Sequence, residues 1–254
     1  MTAADTRIKV YDSLASWADS TANWISQYIQ YAIQERGRCT ICFSGGKTPA
    51  AVYEKLASAP HLNAIAWEYL YGFWGDERSI SPDRPDSNYS MVKEALLDKV
   101  PIPAANILRI KGELPPDQAA VAYENVLQDF FQVSSPAIPV IDLILLGVGN
   151  DGHIASIFPR SELIDETDKW VSATYVRRLN SWRVSMTPVI LNHARQIAFL
   201  ATGKRKAEVL DLIWRKTGNP THVPAMIIRP DNGTLTWHVD HEAASIYQTN
   251  PLTK

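Results

Sequence analysis

The stretch Ile141-Asp-Leu-Ile-Leu-Leu-Gly-Val-Gly-Asn-Asp-Gly-His153 constrains the fold more than any other part of this chain. Ile141 to Leu146 is an almost unbroken apolar run, closed by Gly147 and Gly149. A run with no polar face suits a strand covered on both sides, as in the middle of a parallel sheet. Asn150, Asp151, Gly152 and His153 follow where that strand must leave the sheet. Open α/β sheets bind ligands outside the carboxyl ends of their strands. A carboxylate and an imidazole there can do acid–base chemistry, the imidazole with an ordinary pKa of about 6.5. A plainer reading stands beside it. Asp-Gly is turn chemistry, and Asp151 can cap a helix suggested by Ile154-Ala155-Ser156. His153 favours the functional reading, since neither a turn nor a cap requires it.

The remainder of the chain alternates helical and strand patterns. Tyr11 to Arg36 reads as a helix, with Leu14, Trp17, Trp24, Ile25, Tyr28 and Ala32 on one side, Asp12 or Ser13 as its cap and Gly37 as its end. Strands are expected at Thr40–Phe43, Trp67–Trp74, Ile107–Ile110, Trp170–Tyr175, Arg183–Met186, Ile197–Ala201 and Leu235–Val239. Further helices are expected from Pro49 to Ala57 and at Tyr89–Leu97, Asp117–Gln132 and Lys204–Lys216, with Thr187-Pro188 as another helix start. With no repeat or long linker, this alternation predicts one doubly wound α/β domain over residues 1–254.

Composition mainly excludes. A net charge of −2 gives no basic excess for nucleic acid or a membrane surface, so neither is expected as a partner. No apolar run approaches the roughly 20 residues of a membrane span. The first residues, Met-Thr-Ala-Ala-Asp-Thr-Arg, lack the apolar core of a signal peptide, which makes the cytoplasm the expected compartment. Nothing in the sequence calls for more than a monomer. Cys39-Thr-Ile-Cys42 invites a redox or zinc reading, but it lies in a strand pattern, where residues three apart face opposite sides. With no second pair to complete a metal site, two buried thiols are the expectation.

Two more loops carry chemistry. Ser44-Gly45-Gly46-Lys47-Thr48-Pro49 joins a strand to a helix; its glycines allow close backbone approach, and a helix N-terminus favours an anion. A nucleotide P-loop would need a further glycine at position 41, which is Ile, leaving a generic phosphate cradle or a tight turn. Asp76, Glu77 and Arg78 end the second strand; three successive charges taken alone read as a solvated loop. Arg183 and Lys206 lie near further strand ends and would suit a phosphate of about −1.5 to −2 charges.

Taken together, Ser-Gly-Gly-x-Thr-Pro, Asp-Glu-Arg followed by Pro-Asp-Ser-Asn-Tyr, and Gly-x-Gly-x-Asp-Gly-His-x-Ala-Ser-x-Phe-Pro closely resemble the 6-phosphogluconolactonases from about Ala15 to Ala244. The resemblance implies an α/β/α sandwich around a mainly parallel sheet, shared with the glucosamine-6-phosphate isomerases. It also implies hydrolysis of a sugar-phosphate lactone, 6-phosphoglucono-1,5-lactone, in the pentose phosphate pathway without a cofactor or metal. Carried over, His153 is the base and Asp151 its partner, while Arg78 and Asp76 belong to the site. Ser44, Gly45, Gly46, Lys47, Thr48, Arg183 and Lys206 would hold the phosphate. Lys47 stands where the family usually has Ser or Thr, Asn150 replaces a common Glu and Gly75 a common Val. The isomerases carry Glu five residues after the histidine and Tyr in place of Arg78; this chain has Phe158 and Arg78, which favours hydrolysis. A sugar-phosphate sensor would carry an added helix-turn-helix, for which the residues before Tyr11 are too few.

Overall fold

The computed structural model describes residues 6–249. The strands are β1 (Thr6–Tyr11), β2 (Cys39–Phe43), β3 (Leu70–Trp74), β4 (Asp76–Arg78), β5 (Leu143–Gly147), β6 (Val171–Val176), β7 (Ser181–Met186), β8 (Gln196–Ala201) and β9 (Thr234–Asp240). The helices are α1 (Leu14–Arg36), α2 (Lys47–Leu56), α3 (His61–Ala64), α4 (Asn88–Ala95), α5 (Pro116–Phe131), α6 (Pro188–Leu191), α7 (Ala207–Trp214) and α8 (Ser245–Thr249). One sheet runs β1-β9-β8-β5-β2-β3, and every neighbouring pair in it is parallel.

Side chains alternate across a strand, so neighbouring residues report which helices cover which face. His238 packs on Trp24 of α1, whereas Trp237 meets Trp214 of α7. Phe43 and Trp74 meet Tyr53 of α2 and Tyr89 of α4, whereas Phe73 meets Phe130 and Phe131 of α5. Helices therefore cover both faces, giving the expected α/β/α layering. Strand β5 has Leu143, Ile144 and Leu145 fully buried, as its unbroken apolar run requires. Asp142, the polar exception just before it, is satisfied by Thr40 (N–H 2.9 Å, O–H 2.8 Å) and Arg36 Nε at 2.8 Å.

The chain leaves β2 towards β3 and leaves β5 towards β8, although β2 and β5 are neighbours. The loops after these two strands diverge and open a crevice at their carboxyl ends.

Several expectations need correction. Tyr11 belongs to β1, and α1 begins only after Ser13, whose hydroxyl accepts the Ser16 N–H while Ser16 Oγ accepts the Ser13 N–H, both at 3.1 Å. Gly37 ends α1 in the left-handed region, as anticipated, but Leu14 is exposed. Trp67–Tyr69 forms a 3₁₀ turn ahead of β3, and Ile107–Ile110 forms no strand beyond one bridge between Ile107 and Gly72. Lys204–Lys206 is likewise a 3₁₀ turn, with α7 starting at Ala207. The strands near Trp170 and Arg183 join β4 in a separate sheet, β4-β7-β6, antiparallel throughout. Cys39 and Cys42 are both buried in β2. Among the described residues, no helix is long and apolar enough to cross a membrane.

His238 makes stability depend on pH. It is fully buried, its Nδ1 lies 3.0 Å from the Tyr11 hydroxyl, and its Nε2 has no partner. Burial, with Lys9 adding to it, pushes the imidazole down to about 3. The unfolded ring titrates near about 6.5, so as pH falls the unfolded chain takes up this proton first. The stabilisation is complete above that pH and is lost progressively down through pH 3. Between pH 7.5 and pH 5, wild-type unfolding free energy in urea should fall by about 2 kcal/mol more than that of His238→Asn. Equal slopes for the two proteins would refute this.

Candidate active site

The cradle is built from β2 outward. Ser44 is pinned by Tyr53, whose hydroxyl accepts the Ser44 N–H and donates to the Ser44 carbonyl, each at 3.0 Å. Ser44 Oγ accepts the Gly147 N–H at 3.2 Å, tying the cradle to the end of β5. Gly46 has φ 102° and ψ 168°, a region essentially reserved for glycine. It precedes α2, whose N-terminus has no side-chain cap, and Pro49 in the first turn has no N–H to satisfy. The amides of Lys47 and Thr48 therefore lack helical acceptors, and the positive end of the helix borders the crevice.

The charged triplet after β3 is not a solvated loop. Glu77 is 2% exposed, and its carboxylate accepts the N–H groups of Arg78, Asn88 and Tyr89 at 2.7–2.8 Å and the Ser87 hydroxyl at 3.0 Å. Burial pushes its pKa up while these hydrogen bonds oppose that shift. It acts as the anion at the N-terminus of α4. Asp76 faces the cavity, but its carboxylate is engaged by Ser156 Oγ at 2.6 Å and Asn88 Nδ2 at 3.2 Å. Gly45 leaves room for that asparagine, since a Cβ there would lie 1.9 Å from Asn88 Oδ1. Arg78 donates to the Asp86 carbonyl and stands directly across the ladder from Arg183. Both Nε groups are buried without an acceptor. Burial, and then the charge of Arg78, lower the Arg183 pKa. Adjacent guanidiniums with unmet donors favour an anion.

The turn after β5 brings Asp151 and His153 together. Gly149 N–H donates to the His153 carbonyl at 2.8 Å, and Gly152 N–H donates to the Gly149 carbonyl at 3.0 Å. His153 Nδ1 then lies 2.6 Å from Asp151 Oδ1. Burial alone would raise the Asp151 pKa, but the hydrogen bond and charge of His153, with Arg178, hold it well below the usual carboxylate range. In the neutral ring, an ionised acceptor on Nδ1 assigns the proton to that nitrogen and leaves Nε2 with its lone pair. The helix suggested at Ile154–Ser156 does not form, so Asp151 is no helix cap. Ala155 takes φ 43°, Ile154 and Ile157 bond to each other's backbone, and the turn returns Phe158 to stack on the imidazole at 4.3 Å.

One cavity of about 240 Å³ brings these parts together. Ser44, Gly45, Gly46, Lys47, Thr48, Asp76, Arg78, His153 and Lys206 line it. Asp151 stands behind His153, and Arg183 lies abreast of Arg78 instead of on the wall. Burial lowers the Lys206 pKa, while the charge of Asp151 opposes that shift. Residues not expected at the site are Asn88 and Ser156, which hold Asp76, and Arg178, which pairs with Asp151 at 2.6 Å. Asn88, Ser156 and Phe158 are all in the quoted motifs; Arg178 is in none of them.

The fold and the site define a class. The family model described as glucosamine-6-phosphate isomerases/6-phosphogluconolactonase matches residues 12–237, and the chain belongs to this family. Within it, a 6-phosphogluconolactonase of Synechocystis sp. is 41% identical over 220 residues, covering 86% of this chain and 89% of that protein. A 6-phosphogluconolactonase of Nostoc sp. is 36% identical over 215 residues, covering 84% and 87%. The solved 6-phosphogluconolactonase of Trypanosoma brucei superposes with a TM-score of 0.85 at 30% identity, covering 96% of this chain and 99% of that one.

Proposed function

We propose that this chain hydrolyses 6-phosphoglucono-1,5-lactone to 6-phosphogluconate in the pentose phosphate pathway. One observation carries the reading: the Asp151–His153 pair opens onto the same cavity as an uncapped helix N-terminus and three cations, Lys47, Arg78 and Lys206. A lactone with a distant phosphate needs both a base and an anion anchor. His153 Nε2 takes a proton from water as the oxygen attacks C1, a contribution of about 10²–10⁴ in rate. Asp151 orients the ring and stabilises its cation. Arg78 faces the developing oxyanion. As the C1–O5 bond breaks, His153 returns the proton to O5, and its Nε2 is free for the next water. The cradle Ser44–Thr48, with Arg183 and Lys206, anchors the phosphate and so positions the far end of the sugar. Asp76 serves through Ser156 and Asn88, holding the loops that border the substrate.

The same reading has the chain acting as a single domain in the cytoplasm. Phe158 stacks on the imidazole at the position where the isomerases carry a carboxylate, which favours hydrolysis over proton transfer between carbons.

The direct test is a coupled assay with fresh lactone, subtracting spontaneous hydrolysis; no rate above background would refute the assignment. Hydrogen bonds to charged groups are worth about 1.5–3 kcal/mol, so Arg183→Ala or Lys206→Ala should raise KM about tenfold or more. The loss should be absent with unphosphorylated gluconolactone. Equal losses on both lactones would remove these residues from the phosphate site.

A further inference from the structure

Asp151 has two partners, and the proposed chemistry uses only one of them. Its Oδ1 lies 2.6 Å from His153 Nδ1, and its Oδ2 pairs at 2.6 Å with Arg178 Nη1. The same guanidinium lies over the Phe158 ring, 4.6 Å from its centroid, and the imidazole stacks on that ring at 4.3 Å. Imidazole and guanidinium thus both lie against Phe158, and the Asp151 carboxylate links the two. Arg178 reaches this position from the turn Arg177–Leu179 between β6 and β7, in a different sheet from β5.

We infer that Arg178 is a positioning residue for the Asp151–His153 pair, fixing the carboxylate so that Nδ1 is held and Nε2 faces the cavity. The inference rests on the proposed lactonase reading. The ion pair is half exposed on the arginine side, so its contribution to stability is small. What it supplies is orientation. A lone Asp151 carboxylate could rotate about its side chain and present either oxygen or neither to Nδ1. With Oδ2 held 2.6 Å from a guanidinium that also lies over Phe158, an ion-pair contact without hydrogen-bond geometry, the charge of Arg178 draws that oxygen to its own side and leaves Oδ1 towards Nδ1. Lys206 also acts on Asp151 electrostatically, but it lines the cavity, whereas Arg178 does not. The contact with Oδ2 places Arg178 to act through Asp151.

Two measurements test this. In the lactone assay, Arg178→Ala should lower kcat about tenfold with KM within about twofold of wild type, and Arg178→Lys should recover part of the loss. In an Asp151→Asn background, Arg178→Ala should add less than about a twofold further loss, because the residue it acts through has already been altered. A raised KM with unchanged kcat would make Arg178 a substrate ligand and overturn the inference. So would full additivity of the two changes. The second measurement needs no substrate: proton NMR of the ring Nδ1–H, assigned by its loss in His153→Ala. The resonance should be sharp and downfield in wild type and in the neighbouring Arg177→Ala, and broadened or shifted upfield in Arg178→Ala. An unchanged resonance in Arg178→Ala would overturn the inference even if the lactone proved not to be the substrate. An inactive wild type with the expected NMR change would instead refute the lactonase reading alone.

Discussion

His153→Ala is expected to lose about 10²-fold or more in turnover while remaining folded, because among the described residues no other imidazole lines the cavity. The imidazole is part-exposed, so its removal leaves no closed cavity in the core. Far-ultraviolet circular dichroism and the unfolding midpoint should stay near wild type, while kcat, corrected for spontaneous hydrolysis, falls. Turnover within a few-fold of wild type would sink the base assignment. Asp151 should be ionised throughout the neutral range, since its pKa is held well below the usual carboxylate value. Acid loss of activity should therefore not follow the titration of Asp151.

Gly149→Ala is expected to be nearly as damaging, although glycine carries no chemistry. A Cβ at this position would lie 1.9 Å from His153 Nδ1 and 2.4 Å from Asp151 Oδ1, inside any real contact distance. The backbone here is not in a glycine-only conformation, so the chain can accept alanine. The side chains must move instead, and the atoms that must move are the hydrogen-bonded pair. Misplacing a catalytic group by about 1 Å costs around 10²-fold, and that loss in kcat is the expected result. The Nδ1–H resonance should disappear along with it. Wild-type turnover in Gly149→Ala would mean that the observed approach of Asp151 and His153 is not the working one.

These two residues also mark how far the sequence alone reached. Strand β5 was legible because a strand buried on both faces has little use for polar residues, so Leu143, Ile144, Leu145 and Leu146 carry one message. The α1 cap and the left-handed Gly37 were legible because their chemistry lies within one turn of the helix. The cradle, Arg78, His153 and Lys206 could be placed at one sheet edge because parallel strands send all their carboxyl ends the same way. Strand β4 was not legible: three charged residues fit no strand pattern, and only pairing with β7 and the amides of α4 accounts for a buried Glu77. Strand β1 was missed because an edge strand is half exposed and its apolar residues run on into the pattern of α1. Local sequence determined which groups stand at the carboxyl edge, since strand burial and turn chemistry are short-range. Only the tertiary structure decided how they are held. Arg178 comes from a second sheet to Asp151, and Phe158 folds back over His153, through contacts that no local pattern encodes.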